Sequence, residues 1–182
     1  ANRKFIDKLA GYVPGDTYYD GIRIILPDTL NDEFEISAAI MFWRMGIPVT
    51  FMRVGDIDED YDTDMAAVLC GTTPREMTRE QFDRVFTGGV ILDAVAAETI
   101  DKMGLPGLIG CRVGGAIDDV CTEILSFQAY SNRYYGHHTI FRGRVEADSF
   151  RRLEPFHVNA RVVTEITRHG ELPNIDGMVL FD

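Results

Sequence analysis

Through the first two-thirds of the chain, short unbroken apolar runs alternate with stretches of helical periodicity. Gly-Ile-Arg-Ile-Ile-Leu-Pro at 21–27 is β-branched and stopped by Pro27, which predicts a buried strand. Thr29 and Asn31 offer N-caps to the next segment, and Asp32, Glu33 and Glu35 fall in the first turn, where a helix dipole favours anions. The helix runs on through Phe34, Ile36, Ile40, Phe42 and Trp43 to a stop at Gly46. Its apolar residues cover most of the circumference, so it is expected to be largely buried. Strands are predicted over 49–54, 65–70 and 90–92. Thr78-Arg79-Glu80-Gln81 is a capping box that opens a helix to about Phe86, and Asp93 caps another over 94–103. Short strand–helix units of this kind imply parallel crossovers, and near-continuous apolar strands imply a sheet covered on both faces.

Beyond Gly114-Gly115 the pattern changes to alternating runs rich in aromatics and Arg. Strands are expected over 122–130, 139–145, 160–167 and 177–181, the last two joined as a hairpin around Gly170, Pro173 and Asn174. The fold class is therefore α/β, with an α/β core over 1–115 and a β-rich extension of the same domain over 116–182. The first residue is not Met and the last follows a strand directly, which reads as a piece of a longer protein.

Charge sharpens this division. Residues 1–120 hold 11 basic and 21 acidic side chains, whereas 121–182 hold 7 and 8. A net charge of −11 disfavours nucleic acid and anionic membrane surfaces as partners. No apolar run is long enough to span a bilayer. Cys70, Cys111 and Cys121 lack Cys-x-x-Cys spacing, so they read as buried thiols of a reducing, cytoplasmic compartment and not as a zinc or dithiol site. No cofactor is implied.

In an open parallel sheet, ligands bind beyond the carboxyl ends of the strands. Five sets of residues bear on chemistry there or nearby. Asp56, Asp58 and Asp60 crowd one acidic loop and could converge on a hard cation. An EF-hand starting at Asp56 would need Gly and Glu where Tyr61 and Ala67 stand, so a solvated acidic loop is the simpler reading. Cys70 ends a strand, and Cys111 sits in Gly-Cys-Arg-Val-Gly; either is a nucleophile only if its thiol pKa is lowered, with His169 or His157 as base. Ile109 and Val113 occupy the positions where a nucleophile elbow around Cys111 would need Gly. His169-Gly170-Glu171 has the His-x-Glu form of an amidotransferase dyad, yet it falls in the expected hairpin turn. Tyr134, Tyr135 and His137, amid Arg133 and Arg142, could stack on a sugar or on a partner protein, or simply pack beneath a loop. Asp93, at a strand end, is a ligand candidate as well as a cap.

Residues 21–110 resemble the flavodoxin-like class I glutamine amidotransferase-like domain, and more narrowly its non-catalytic form in β-galactosidase-like glycoside hydrolases. The resemblance is carried by Ile47-Pro48-Val49-Thr50, Asp60-Tyr61-Asp62 leading into 65–70, Thr78-Arg79-Glu80-Gln81-Phe82, and Gly88-Gly89-Val90-Ile91-Leu92-Asp93 with the helix after it. It implies a flavodoxin-like parallel sheet with helices on both faces. A working amidotransferase places its thiol in Gly-x-Cys-x-Gly at a strand–helix turn. Here that turn reads Leu92-Asp93-Ala94-Val95-Ala96, with no thiol and neither glycine. The resemblance thus implies a non-catalytic structural or assembly domain in a carbohydrate-processing protein. Its partners would be neighbouring domains of a parent chain, a homo-oligomer or carbohydrate. Two alternatives stand beside it: a thiol-dependent amidotransferase or hydrolase using Cys70 or Cys111, and a sugar-binding module built on the aromatics around Tyr134.

Overall fold

A computed structural model of the chain describes residues 21–29, 34–116, 120–125, 139–144, 151–168 and 175–181. Its first half is a parallel sheet. Strands β1 (Ile22–Leu26), β2 (Val49–Arg53), β3 (Ala66–Leu69) and β4 (Val90–Leu92) lie in the order β2-β1-β3-β4. All three pairings are parallel, with Ile24 beside Phe51 and Val68, and Leu69 beside Leu92. Helix α1 (Phe34–Arg44) connects β1 to β2, α2 (Arg79–Val85) leads into β4, and α3 (Ala94–Lys102) follows it.

Alternation along the strands divides the core in two. Ile25, Ala67 and Leu69 face α2 and α3, where Phe82, Val85, Ala96 and Ile100 close a fully buried cluster. Ile22, Ile24, Val68 and Cys70 face the other way and meet Phe42 of α1. The helix boundaries follow their local chemistry. The Thr78 hydroxyl accepts from the Gln81 amide while the Gln81 side chain accepts from the Thr78 amide, the expected capping box. Gly46 and Gly104, with φ of +76° and +80°, take the left-handed conformation that ends α1 and α3. The Thr29 hydroxyl donates to Glu76; Asn31 lies outside the described residues.

The second half is an antiparallel sheet ordered β5-β8-β10-β9-β6-β7. Its strands are β5 (Cys111–Ala116), β6 (Val120–Leu125), β7 (Thr139–Arg144), β8 (Arg151–Pro155), β9 (Ala160–Arg168) and β10 (Ile175–Phe181). The expected hairpin is present: β9 and β10 pair antiparallel, from Ile166 beside Ile175 to Ala160 beside Phe181. Strands β5 and β8 have no counterpart in the hydrophobic pattern.

The two sheets are joined through α3. The Asp101 carboxylate accepts from the Val113 amide at 2.8 Å and from Arg112 at 2.9 Å. Glu98 accepts from the buried Arg151 guanidinium at 2.9 Å. Cys111 and Ile109 extend the α3-side core toward Leu153 of β8.

One expectation fails outright. Helix α1 is not largely buried. Ile36, Ile40, Met41 and Trp43 all stand in solvent, Trp43 at 74% of its full exposure. An all-round apolar pattern implies burial only if a layer lies on each side, and among the described residues α1 has the sheet on one side alone. Among the described residues no helix is long and apolar enough to cross a membrane.

Candidate functional site

The order β2-β1-β3-β4 fixes where a crevice must lie. From β1 the chain moves to one neighbour, β2, and then crosses to the other, β3. The switch point is therefore the gap beyond the carboxyl ends of β1 and β3. Three segments converge there: Pro27-Asp28-Thr29 after β1, Cys70-Gly71-Thr72-Thr73 after β3, and Asp93 after β4.

Each oxygen of Asp93 accepts from a backbone amide. Its Oδ1 accepts from the Ala96 amide at 2.6 Å, capping α3, and its Oδ2 accepts from the Gly71 amide at 2.9 Å. The Cys70 thiol lies near this carboxylate, which disfavours its thiolate. Asp93 has φ −78° and ψ 168°, the ordinary extended geometry of an N-cap and not a strained turn. The turn after β4 presents a carboxylate that ties the end of β3 to the start of α3.

Glu35, in the first turn of α1, reaches into the same region and is 1% exposed. Its Oε1 accepts from the Thr73 hydroxyl at 2.7 Å, and its Oε2 finds no partner among the described residues. Thr99 lies close by, its hydroxyl directed to the carbonyls of Val95 and Gly71. At the rim, Glu76 accepts from the Asp28 amide and the Thr29 hydroxyl, and the Thr29 bond holds its carboxyl below the usual range. Asp28 in turn accepts from the Gly55 amide at 3.1 Å.

Neither described thiol is poised for attack. Burial pushes the Cys70 thiol far above its ordinary value, and the Asp93 and Glu35 carboxylates add to this by disfavouring a thiolate. Burial, with Asp101 nearby, pushes Cys111 up to about 11. Cys111 opens an antiparallel strand and does not stand at a strand–helix turn. His157 is not directed to it: its Nδ1 accepts from the Asn159 amide at 3.2 Å and its ring stands edge-on to Phe181, centroids 4.9 Å apart.

The acidic loop is held by its own backbone. Asp58 accepts from the Asp60 amide, Asp62 from the Asp64 amide, and Asp56 from the Arg53 amide. Arg23 donates to the Asp62 carbonyl and lies over the Tyr61 ring at 4.9 Å. Among the described residues no group of three or more His, Cys, Asp or Glu side chains is placed to hold a metal ion. His169, Glu171, Tyr134, Tyr135 and His137 lie outside the described residues.

Sequence reasoning placed Cys70 to Thr73 and Asp93 at the strand ends that form this crevice but missed Glu35, which was visible as an acid at the start of an otherwise apolar helix. No family model matches this chain, and no curated protein or solved structure is similar enough to match it.

Proposed function

We propose that this chain is a non-catalytic, amidotransferase-like domain of flavodoxin-like type with a structural or assembly role. The observation that carries the reading is the occupied turn after β4. Both Asp93 oxygens are committed to backbone amides, and the neighbouring thiol is buried against two carboxylates. A nucleophilic thiol needs the reverse: a nearby cation or helix N-terminus that stabilises the thiolate. The strand order β2-β1-β3-β4 supports the flavodoxin-like part of the reading. The assignment to a carbohydrate-processing, glycoside hydrolase-type protein, with neighbouring domains or carbohydrate as partners, rests on the resemblance of residues 21–110. The free, buried Cys70 and Cys111 agree with a reducing compartment such as the cytoplasm.

The test is site-resolved alkylation at neutral pH, read by mass spectrometry, beside assays for glutamine and ester hydrolysis. Cys70 and Cys111 should label only as fast as the protein opens, with no turnover above background. Rapid labelling of either thiol, with turnover abolished by Cys70→Ala or Cys111→Ala, overturns the proposal.

A further inference from the structure

Apart from the occupied crevice, the largest unexplained feature is the outer surface of α1 and the strand beside it. Ile36, Ile40 and Trp43 follow one another at helical spacing along one flank of α1, and Met41 and Met45 along the other; all five are exposed. Phe51 of β2, 57% exposed, extends the surface. It is in register with Ile24, which packs against Phe42, so it emerges on the α1 side of the sheet. Among the described residues, α1 is the sole helix packed on that side.

Scaled by their exposures, these six side chains present on the order of 600 Å² of apolar surface, shared between two flanks with the exposed Ser37 and Arg44 between them. A standard interface takes about 800 Å² from each partner, so this face with its polar margin supplies one half of such an interface. Charge points the same way. The chain carries 29 acidic residues and a net charge of −11, yet none of the acids falls between Glu35 and Asp56. The acid–acid repulsion that opposes two copies elsewhere is absent from this segment, whose charges are Arg44 and Arg53.

From this geometry we infer that the α1–β2 face is the contact of a two-fold homodimer, a partner assignment that rests on the assembly reading above. The edge position of β2 favours a second copy over an unrelated protein. Among the described residues β2 is the outermost strand of the parallel sheet, with Phe51 at its centre. A two-fold axis beside Phe51 runs β2 antiparallel to its copy, joins the two sheets into one, and brings each α1 against its counterpart. The same patch then serves both partners, as an isologous contact requires.

Sedimentation velocity of the intact 182-residue chain across the micromolar range tests this. The expected result is a dimer that Trp43→Glu and Phe51→Glu each convert to a monomer. Circular dichroism should be unchanged, because both side chains are exposed. Met103→Glu, at the exposed end of α3, should leave the dimer intact. Trp43 is the sole tryptophan, so its emission should shift to the blue, and iodide quenching should fall, as the dimer forms. A monomer at every concentration overturns the inference, whether Trp43 is quenched freely or is shielded by the chain itself. So does a dimer that both substitutions leave untouched. A monomer whose thiols label slowly and which hydrolyses no glutamine overturns the dimer alone. Fast labelling coupled to turnover overturns the non-catalytic reading, whatever the sedimentation shows.

Discussion

Replacing Asp93 tests the reading of the turn after β4 most directly. The carboxylate does two separable things: it caps α3 through Ala96 and holds the end of β3 through Gly71. Losing an N-cap costs about 1 kcal/mol, and losing a hydrogen bond to a charged acceptor about 1.5–3 kcal/mol. Asp93→Ala loses both, so it should destabilise the fold by about 2–4 kcal/mol. Asp93→Asn keeps a good cap oxygen for Ala96 but turns its amide nitrogen toward the Gly71 N–H, donor against donor. It should fall between the wild type and Asp93→Ala. Urea titration followed by far-UV circular dichroism measures this as a shift of midpoint at constant slope. Removing the carboxylate also takes away two of the influences that raise the Cys70 thiol. Burial, the largest of them, remains, so Cys70 should stay slow to alkylate in Asp93→Ala. An Asp93→Ala protein within about 0.5 kcal/mol of the wild type would refute the claim that this residue is a structural tie.

Two further outcomes concern the joint between the sheets. Lys102 first, and then Arg151, hold the Glu98 carboxyl below its usual range. A carboxylate depressed in the folded state stabilises above its unfolded pKa and loses that contribution as pH falls through the folded value. Glu98→Gln should therefore cost about 1–3 kcal/mol at neutral pH, and the gap to the wild type should close below about pH 4, as read from urea midpoints across pH. Gly110 has φ +66°, and an added Cβ would lie 2.5 Å from the Phe181 ring. Gly110→Ala should cost at least about 2 kcal/mol in thermal or urea unfolding, whereas Gly107→Ala, which meets open space, should be near neutral.

The parallel sheet was legible because each of its parts carries a local signal. β1 and β3 are apolar runs ended by Pro27 and Gly71, and α2 and α3 open on side chains that cap their own amides. Strand β5, Cys-Arg-Val-Gly-Gly-Ala, carries no such signal. Gly114 is there because β5 approaches β8 closely: an added Cβ would stand 3.3 Å from the Arg152 side chain. That is a demand of pairing, not of local propensity. β8 is likewise hidden, since Arg151 is buried only because Glu98, far away in sequence, meets it. The site divides along the same line. Asp93 could be read as a cap because Ala96 is its near neighbour; its bond to Gly71 spans 22 positions and leaves no trace in the pattern.

The misjudged helix bears on function more than the missed strands do. Periodicity counts apolar positions around a helix but cannot count the layers of protein available to cover them. For α1 the inner positions are accounted for: Phe42 fills the core against Ile24, and Glu35 is held by Thr73 at the crevice. The outer positions have no such role among the described residues. Leaving Trp43, Ile36 and Phe51 in water forgoes about 1.5–3 kcal/mol per large side chain that burial would supply. A chain with no acid between Glu35 and Asp56, and with both oxygens of Asp93 spent on its own backbone, has its uncovered apolar surface on the outside of α1, while the crevice keeps one buried polar atom, Glu35 Oε2, without a partner among the described residues. The physical demand for a partner therefore lies at the edge of the sheet, and the carboxyl ends of its strands hold the domain together.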